Sequence, residues 1–353
     1  MKTGVLLFLS AVLLIGTFSL AIADGGANHQ KQNNNYGVTG GNVKDITKSF
    51  CCSGTLGALI KNGGGTQYIL SNNHVLARED QAASGEDISQ PGLVDNNCKV
   101  PRIVADFTAA PHLGTNVDAA IAKLRSGTMN TTGRIEDVGI PSINIVSSPS
   151  VGLAVAKSGR TTGFTTGKIG SVNASVKVTY QKSCGSGKKF TISYTNQIVI
   201  NSSSFSAGGD SGSLIVSNTS SSCRRPVGLL FAGSSSTTIA NPITNVLSGL
   251  HNTTGQTYTF VGQNCTAPSA PTQMEAPSGI EMNQALNVLN GHRDELMAYD
   301  AVIGVGIGAL ASDPSHAAII VYMDKTQRML ARIPRTIDGV PVRVISTEPF
   351  VAF

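Results

Sequence analysis

Short β-prone runs dominate residues 50–260 and limit the folds that are open to this chain. Runs such as SGTLGALI, KFTISYTNQIVI and PVGLLFAG are separated by clusters of Gly, Ser, Asn and Thr, with turn signals such as KNGGGT. Several short strands at this spacing are typical of an antiparallel sandwich or barrel. A helix-prone run, NPITNVLSGL at 241–250, is expected to close this unit.

The composition changes at residues 265–279, a proline-rich stretch without apolar periodicity that predicts a linker. Beyond it, NQALNVLNGHRDELMAYD has helical spacing, and three strand-like runs follow, so residues 280–353 predict a separately folding, small α+β module. The segment GVGIG in this module resembles part of a dinucleotide-binding loop. Because ASDPS follows it in place of a glycine loop and helix, we favour a strand of small residues packed under the helix.

The amino terminus has the pattern of a secretory signal peptide. Lys2 precedes an apolar run at 5–18, and Ala21-x-Ala23 matches the small residues before a cleavage site. The run is short for a membrane span, although an uncleaved anchor is the alternative interpretation. Residues 1–23 are therefore expected to be removed, which leaves a secreted or periplasmic protein with no membrane contact.

Charge and cysteine content narrow the function classes. The chain has 26 Lys and Arg against 21 Asp and Glu, scattered along its length, so no nucleic-acid partner is expected. Six cysteines, an even number in an exported chain, predict up to three disulfides. The sequence has no CxxC pair and no HExxH motif, so neither a metal nor another cofactor is expected.

The segment GGDSGS, at 208–213, places Ser211 at the apex of a glycine-rich turn that leads into an apolar strand. A serine hydroxyl is a poor nucleophile until a base takes its proton, and that base needs a partner to orient it. His74 follows an apolar run in SNNHVLA, and Asp118 lies between apolar residues in NVDAAIAKL. Each alone has a structural explanation as a loop, turn or capping residue, but the three together indicate nucleophilic catalysis.

With these motifs the chain resembles trypsin-like serine peptidases of the chymotrypsin fold, including the bacterial and plant narrow-leaf type. The histidine, aspartate and serine boxes stand as LSNNHVLA, VDAAIAKL and GGDSGS, and VGLLFAG followed by ANPI resembles the narrow-leaf members. The resemblance covers about residues 45–255. It implies a mainly β fold with two six-stranded antiparallel β-barrels, about 45–155 and 156–255, in a peptidase domain of residues 24–264, followed by the small α+β domain.

The resemblance also implies a role for each matching residue. His74 becomes the general base and acid, Asp118 its orienting partner and Ser211 the nucleophile, while the N–H groups of Gly209 and Ser211 become the oxyanion donors. Asp210 is expected to point away from the substrate and anchor the loop. The implied function is a secreted serine endopeptidase acting on protein or peptide substrates. A catalytically silent binding or scaffold protein of the same fold, and an esterase, are the alternatives.

The implied substrate pocket carries no charge. It is lined by Phe205, Phe231, Ala232, Gly233 and Ala240. A lysine or arginine buried there would have no ionic partner, so small or medium apolar side chains are expected before the cut bond.

The chain departs from the digestive members of the family, which neutralise the aspartate before the serine with a new amino terminus, Ile-Val-Gly-Gly. Here only GVTGGN is present, at 37–42, with no basic residue before it, and we interpret its glycines as a turn. For the disulfides we expect Cys184 with Cys223, Cys98 with Cys51 or Cys52, and the remaining one of these two with Cys265.

The module at 280–353 is expected to regulate or position the peptidase without supplying catalytic groups. Its apolar ending, EPFVAF, either lies in the substrate cleft as an intramolecular inhibitor or completes the module's own sheet. We favour the sheet, because terminal strands are commonly held in this way.

Overall fold

The computed structural model describes residues 33–219, 222–265, 276–327 and 333–353. The signal peptide expected at 1–23 and most of the proline-rich stretch lie outside the described residues. The described part is mainly β, as predicted. Within it, no helix combines the length and apolar character needed to cross a membrane.

The first sheet closes on itself as a barrel. Its elements in chain order are β1 (Val38–Asn42), β2 (Gly54–Leu56), β3 (Ala58–Asn62), β4 (Gln67–Ser71), the one-turn helix α1 (Asn73–Leu76), β5 (Asp87–Gln90), β6 (Arg102–Ala109) and β7 (Ala120–Leu124). The antiparallel order is β3-β4-β7-β6-β5-β1-β2. Since only Gly57 separates β2 from β3, the two count as one strand, and the sheet becomes a six-stranded barrel.

The glycines at 40 and 41 lie in β1, so the interpretation of GVTGGN as a turn is wrong. The reason is packing inside the barrel. A Cβ atom added at Gly40 would lie only 2.4 Å from Leu56 Cγ on the neighbouring strand β2. Glycine is therefore needed here for close approach of two strands rather than for a change of chain direction.

The second sheet also closes as a barrel. Its strands are β8 (Ala154–Gly159), β9 (Gly163–Lys168), β10 (Ser171–Gln181), β11 (Lys189–Asn201), β12 (Leu214–Ser217), β13 (Pro226–Gly233) and β14 (Thr237–Pro242). Their order is β9-β8-β12-β13-β14-β11-β10. Two residues join β9 to β10, and the Gly170 N–H donates to Val199 of β11, so β9 and β10 together form the sixth strand. The prediction of two six-stranded antiparallel barrels is confirmed.

Two further elements follow the second barrel. The helix predicted near 241–250 is α2 (Ile243–Thr254), and β15 (Tyr258–Phe260) then returns to pair with β3 of the first barrel. Side chains of both barrels and of α2 share one apolar core, which includes Ile69, Leu214 and Val246. The chain thus crosses back and fixes the two barrels against each other.

The carboxyl-terminal α+β elements continue the second sheet. They are α3 (Gly279–Met297), β16 (Val302–Ala309), β17 (Ala317–Asp324), β18 (Thr336–Ile337), β19 (Val340–Thr347) and β20 (Phe350–Ala352). Strand β16 pairs antiparallel with β10 of the barrel, and the sheet extends outward through β17, β19 and β18. The module's sheet is therefore continuous with the second barrel, and its separate folding stays a prediction.

Strand β16 contains GVGIG, as favoured from the sequence, but its glycines face β10 instead of the helix. A Cβ atom at Gly306 would lie 3.1 Å from the Ala174 side chain of β10. The intervening Val305 and Ile307 belong to the apolar cluster that α3 covers. Small residues on one face of β16 thus let the module's sheet join the barrel closely.

Strand β20 leaves the module's own sheet and runs between two strands of the second barrel. It pairs in parallel with β10 and antiparallel with β13. The expectation that the ending EPFVAF completes the module's sheet is wrong. The edges of β10 and β13 supply the backbone partners instead.

Three disulfides join the described cysteines: Cys51 with Cys98, Cys52 with Cys184, and Cys223 with Cys265. The first matches one of the expected alternatives. The expected bond between Cys184 and Cys223 is wrong, and so is the pairing of Cys265. The physical reason is the length of the β10–β11 hairpin, whose strands have 11 and 13 residues and whose turn carries Cys184 beyond the barrel to the first barrel's Cys52.

Candidate active site

His74 and Asp118 meet because they follow and precede paired strands. Strand β4 ends at Ser71, which pairs with Ala120 at the start of β7, so the adjoining residues converge at one edge of the first barrel. His74 Nδ1 lies 2.6 Å from Asp118 Oδ2. The other carboxylate oxygen accepts the backbone N–H of Asn73 at 2.7 Å. This geometry fixes both the position of the carboxylate and the orientation of the imidazole.

The Asp118 carboxylate makes the His74 imidazole a stronger base. Burial by itself lowers the pKa of His74, because it disfavours the charged form. The negative charge and hydrogen bond of Asp118 oppose this effect, with a smaller contribution from the Phe353 carbonyl, and the pKa is raised above 6.5. An imidazole in this state is suited to accept a proton from a nucleophile.

Two tyrosines that the sequence analysis did not identify complete the surroundings of Asp118. The hydroxyl of Tyr180 donates to Asp118 Oδ2 at 2.9 Å, and the Tyr194 hydroxyl lies 2.7 Å from that of Tyr180. Both residues are buried, on the paired strands β10 and β11. The alternating pattern of KVTYQ marks Tyr180 as a buried strand position, but nothing in that pattern indicates its partner on the other barrel.

Ser211 lies on the second barrel, against the first. Its carbonyl oxygen accepts the Thr55 N–H of β2 at 2.8 Å. The Ser211 hydroxyl donates to the Phe231 carbonyl oxygen at 3.2 Å, whereas His74 Nε2 lies 3.1 Å from the Phe353 carbonyl oxygen. The structure thus brings His74 and Asp118 into direct contact, and it gives the serine hydroxyl and the imidazole separate partners.

Asp210 anchors the serine loop and points into the protein. Its carboxylate accepts the N–H groups of Thr161 at 2.8 Å and Ala207 at 3.0 Å, and the Thr162 hydroxyl at 2.6 Å. Lys157 Nζ lies 3.3 Å from Asp210 Oδ2. Both charged side chains are fully buried, so the carboxylate is satisfied within the second barrel itself.

Lys157 supplies the positive charge that the digestive peptidases obtain from a new amino terminus. The ammonium group also donates to the Gly163 carbonyl at 2.9 Å and to the Thr162 hydroxyl. Burial lowers the pKa of Lys157, and the Asp210 carboxylate opposes that shift. In the sequence the signal is a single lysine inside the otherwise apolar strand β8, AVAKSG.

The peptide between Gly208 and Gly209 is held by a hydrogen bond to its carbonyl oxygen. The Thr161 hydroxyl donates to the Gly208 carbonyl at 2.6 Å. Since a trans peptide places its N–H opposite its carbonyl, the Gly209 N–H points away from Thr161. Gly209 has a φ of +94°, which favours glycine, and a Cβ atom there would lie 2.5 Å from Thr161 Oγ1.

Three of the five predicted pocket residues surround one apolar site. Phe205 and Ala240 are fully buried in the same cluster, and the Phe353 side chain packs against it. Gly233 lies under this side chain, since a Cβ atom added to Gly233 would lie 2.6 Å from the Phe353 ring atom Cζ. A side chain larger than glycine at position 233 would therefore displace the ring.

The other two predicted pocket residues point elsewhere. Phe231 and Ala232 belong to a different apolar cluster, and the Phe231 ring packs 4.9 Å from that of Tyr194 between ring centroids. What Phe231 contributes to the cleft is its carbonyl oxygen. In the bulged strand β13, Gly233 therefore lies under the Phe353 ring, whereas Phe231 and Ala232 pack in the apolar core beneath Asp118.

A cavity of about 420 Å³ extends from His74 along the loop at 45–53 and the Cys52–Cys184 disulfide. It is lined partly by Asp45 and Glu79, and burial raises the pKa of Asp45 to about 6 and that of Glu79 to about 8. Across the described ranges, no group of three or more His, Cys, Asp or Glu side chains is placed to hold a metal ion.

The two barrels, with His74 and Asp118 on one and Ser211 on the other, have the chymotrypsin-like fold. The Nal1 C-terminal domain family matches residues 115–244, a stretch that runs from Asp118 to the start of α2. A search of curated proteins found no match.

Solved structures similar to this chain include several bacterial serine proteases. A glutamic acid-specific serine protease with a histidine triad in substrate binding is 20% identical, with 64% of this chain and 98% of that one covered and a TM-score of 0.44. Thermobifida fusca protease A is 16% identical, with 64% and 98% covered and a TM-score of 0.41. Cellulomonas bogoriensis chymotrypsin is 17% identical, with 59% and 91% covered and a TM-score of 0.39. At these identities, function has to be argued from this chain's own site.

Proposed function

We propose that the protein is a secreted serine endopeptidase that hydrolyses peptide bonds through His74, Asp118 and Ser211. The observation that carries the proposal is the 2.6 Å contact between His74 and a buried Asp118. Phe353 links this pair to Ser211, because its carbonyl meets His74 Nε2 and its N–H points to the Phe231 carbonyl that accepts the Ser211 hydroxyl. Three disulfides between the described cysteines support an extracellular or periplasmic location.

In the first half-reaction the Ser211 hydroxyl turns from the Phe231 carbonyl to His74 Nε2 and attacks the substrate carbonyl carbon. His74 takes the hydroxyl proton, and the resulting oxyanion accepts hydrogen bonds from the N–H groups of Gly209 and Ser211. His74 then gives its proton to the leaving amine. The C–N bond breaks, and an acyl-enzyme on Ser211 Oγ remains.

In the second half-reaction water replaces the amine. His74 takes a proton from the water, whose oxygen attacks the acyl carbon, and then returns a proton to Ser211 Oγ as the ester bond breaks. Asp118 holds the imidazolium that forms in both halves. Tyr180 and the Asn73 N–H keep the Asp118 carboxylate in place for this role.

The test is to treat the protein with an organophosphonate and to measure peptide hydrolysis for the unaltered chain, Ser211→Ala and His74→Ala. We expect label on Ser211 and loss of turnover in both variants to about the same level, because the three groups act as a unit. The melting temperatures should stay close to that of the unaltered protein. Near-unaltered turnover in H74A contradicts the proposed triad.

One observation favours the alternative of a catalytically silent scaffold, namely that the Ser211 hydroxyl and His74 Nε2 have separate partners. That alternative predicts neither phosphonate labelling nor turnover in a correctly folded protein. Hydrolysis of small esters without cleavage of any member of a peptide library indicates the esterase.

A further inference from the structure

Residues 350–353, the cleft segment, run through the candidate active site in the manner of a peptide. Ala352 pairs with Ala232 and Val351 with Gly233, both antiparallel, along β13. The Phe353 N–H points to the Phe231 carbonyl, with the nitrogen 3.4 Å from the oxygen. An extended peptide added to a sheet edge gains affinity from such backbone bonds and specificity from its side chains.

The carbonyl of Phe353 lies at the reacting centre. Its oxygen is 3.1 Å from His74 Nε2, the atom that must exchange protons with the nucleophile and the leaving group. The same backbone stretch of β13 that binds Phe353 also holds the Ser211 hydroxyl, through the Phe231 carbonyl. Phe353 therefore stands where the residue before the cut bond belongs.

The side chain of Phe353 identifies what the pocket accepts. Its ring lies over Gly233 and against the cluster that contains Phe205 and Ala240. These residues present apolar surface, and the absence of a side chain at Gly233 leaves room for a flat ring. The site therefore holds an aromatic side chain. This side chain is larger than the small or medium apolar side chains expected from the sequence.

The upstream residues fix the cleft segment in the protein. Phe350 is fully buried, and its ring centroid lies 5.9 Å from that of Tyr322. Glu348, just before the segment, pairs with Lys325 and accepts the Ser235 hydroxyl at 2.7 Å. By contrast, the Val351 side chain is 42% exposed and points out of the cleft.

We propose that residues 350–353 are an intramolecular ligand of the substrate cleft, and that the cleft selects polypeptides with phenylalanine before the cut bond. The assignment of substrate class rests on the proposed function. A tethered segment competes with free peptides for the cleft at its effective concentration, which is about millimolar for short connections. A free peptide of the same sequence therefore binds only when the contacts between residues 350–353 and the cleft are weakened.

The test measures binding and needs no turnover. All proteins carry Ser211→Ala, and the probe is the peptide acetyl-Phe-Val-Ala-Phe, followed by calorimetry. Phe353→Asp places a charge in the apolar pocket and should raise the affinity for the probe at least about tenfold over the protein with an intact segment. Val344→Thr, at a 45% exposed position of β19 outside the cleft segment, is the matched control and should leave the affinity unchanged.

Phe353→Ala is the second variant, because it removes the ring without adding a charge and should shift the affinity in the same direction. A peptide ending in lysine should bind at least about tenfold more weakly than the phenylalanine peptide. Equal probe affinity in the intact, F353D and F353A proteins overturns the proposal, and so does equal affinity for the lysine peptide. Phosphonate labelling of Ser211 in an F353D protein that retains the serine tests the proposed function separately.

Discussion

Lys157 and Asp210 form an ion pair, with 3.3 Å between Nζ and Oδ2, and neither side chain is exposed. The pair connects strand β8 to the loop that carries Ser211. Because the lysine belongs to the barrel itself, the loop is organised without a new amino terminus. We therefore expect the serine loop to keep its folded arrangement in a chain with residues 37–42 intact.

The first prediction is that Lys157→Met lowers stability by about 3–5 kcal/mol, because the buried Asp210 carboxylate loses its counter-charge. Peptidase activity should fall with it, as the serine loop loses its anchor. Lys168→Met, at an exposed lysine on the next strand, is the control and should change stability by less than about 0.5 kcal/mol. Denaturant unfolding measures both. Equal stability of the two variants contradicts the assigned role of Lys157.

The second prediction concerns the hydrogen bond from Tyr180 to Asp118. Tyr180→Phe should lower stability by about 1.5–3 kcal/mol, because the bond is made to a charged group, and should lower kcat/KM as the carboxylate loses a fixed position. Tyr194→Phe is the matched control. It leaves the bond to Asp118 intact and should lose only about 0.5–1.5 kcal/mol. A larger effect in Y194F than in Y180F contradicts this order.

The third prediction is that Gly209→Ala lowers kcat by about 10²–10³-fold, the cost of losing one oxyanion donor. The added Cβ would lie 2.5 Å from Thr161 Oγ1 on a residue whose φ is +94°, so the peptide has to rotate. Gly208→Ala is the neighbouring control, since a Cβ there meets no atom within 4 Å in the described structure. Single-turnover kinetics measure the catalytic rate of both variants. Equal losses of rate in G209A and G208A argue against the Gly209 N–H as an oxyanion donor.

The sequence predicted the features whose evidence lies in short segments of the chain, either as strand spacing or as a motif that matches the family. Strand spacing predicted an antiparallel sandwich or barrel, and the resemblance implied the two six-stranded barrels that the structure contains. The resemblance placed Phe205, Gly233 and Ala240 in the pocket. In the structure Gly233 lies under the Phe353 ring, and the other two belong to the apolar cluster against which Phe353 packs. The strand spacing depends on neighbouring residues in the chain, whereas the two barrels and the pocket residues were inferred from the family's pattern.

The features that the sequence did not predict depend on contacts between distant segments. Tyr180 reaches Asp118 from the other barrel, and Cys184 reaches Cys52 because the β10–β11 hairpin is long. The path of residues 350–353 depends on which strand edges accept them, and this cannot be inferred from an apolar ending alone. Lys157 had a local signal, a lysine in an apolar strand, but its partner lies in another loop.

The fourth prediction follows from the raised pKa of His74. Burial lowers this pKa, but the charge and hydrogen bond of Asp118, together with smaller contributions from Glu79 and the Phe353 carbonyl, outweigh it, so the net direction is upward from 6.5. Since the base must be neutral to accept the Ser211 proton, kcat/KM should fall on the acid side with a midpoint above pH 6.5. His112→Asn, at a histidine that is 84% exposed, should leave that midpoint unchanged. An acid midpoint at or below 6.5 contradicts the prediction.

The last prediction compares two disulfides. The Cys52–Cys184 bond spans 132 residues and the Cys223–Cys265 bond spans 42, so their loops differ about threefold in length. In the chain-entropy account, a threefold longer loop adds about 1.5RT ln 3, or about 1 kcal/mol, to the stabilisation. Replacing Cys52 and Cys184 by alanine should therefore cost about 1 kcal/mol more in unfolding free energy than replacing Cys223 and Cys265.

Replacing Cys52 and Cys184 by alanine should also lower peptidase activity, because these two residues line the cavity beside His74 and join the two barrels there. Non-reducing peptide maps of the unaltered protein establish the pairs before the comparison. Equal or reversed costs in denaturant unfolding would show that loop length does not set the difference. Unchanged turnover in the variant without the Cys52–Cys184 bond would show that the barrels hold this side of the cleft together through their packed core alone.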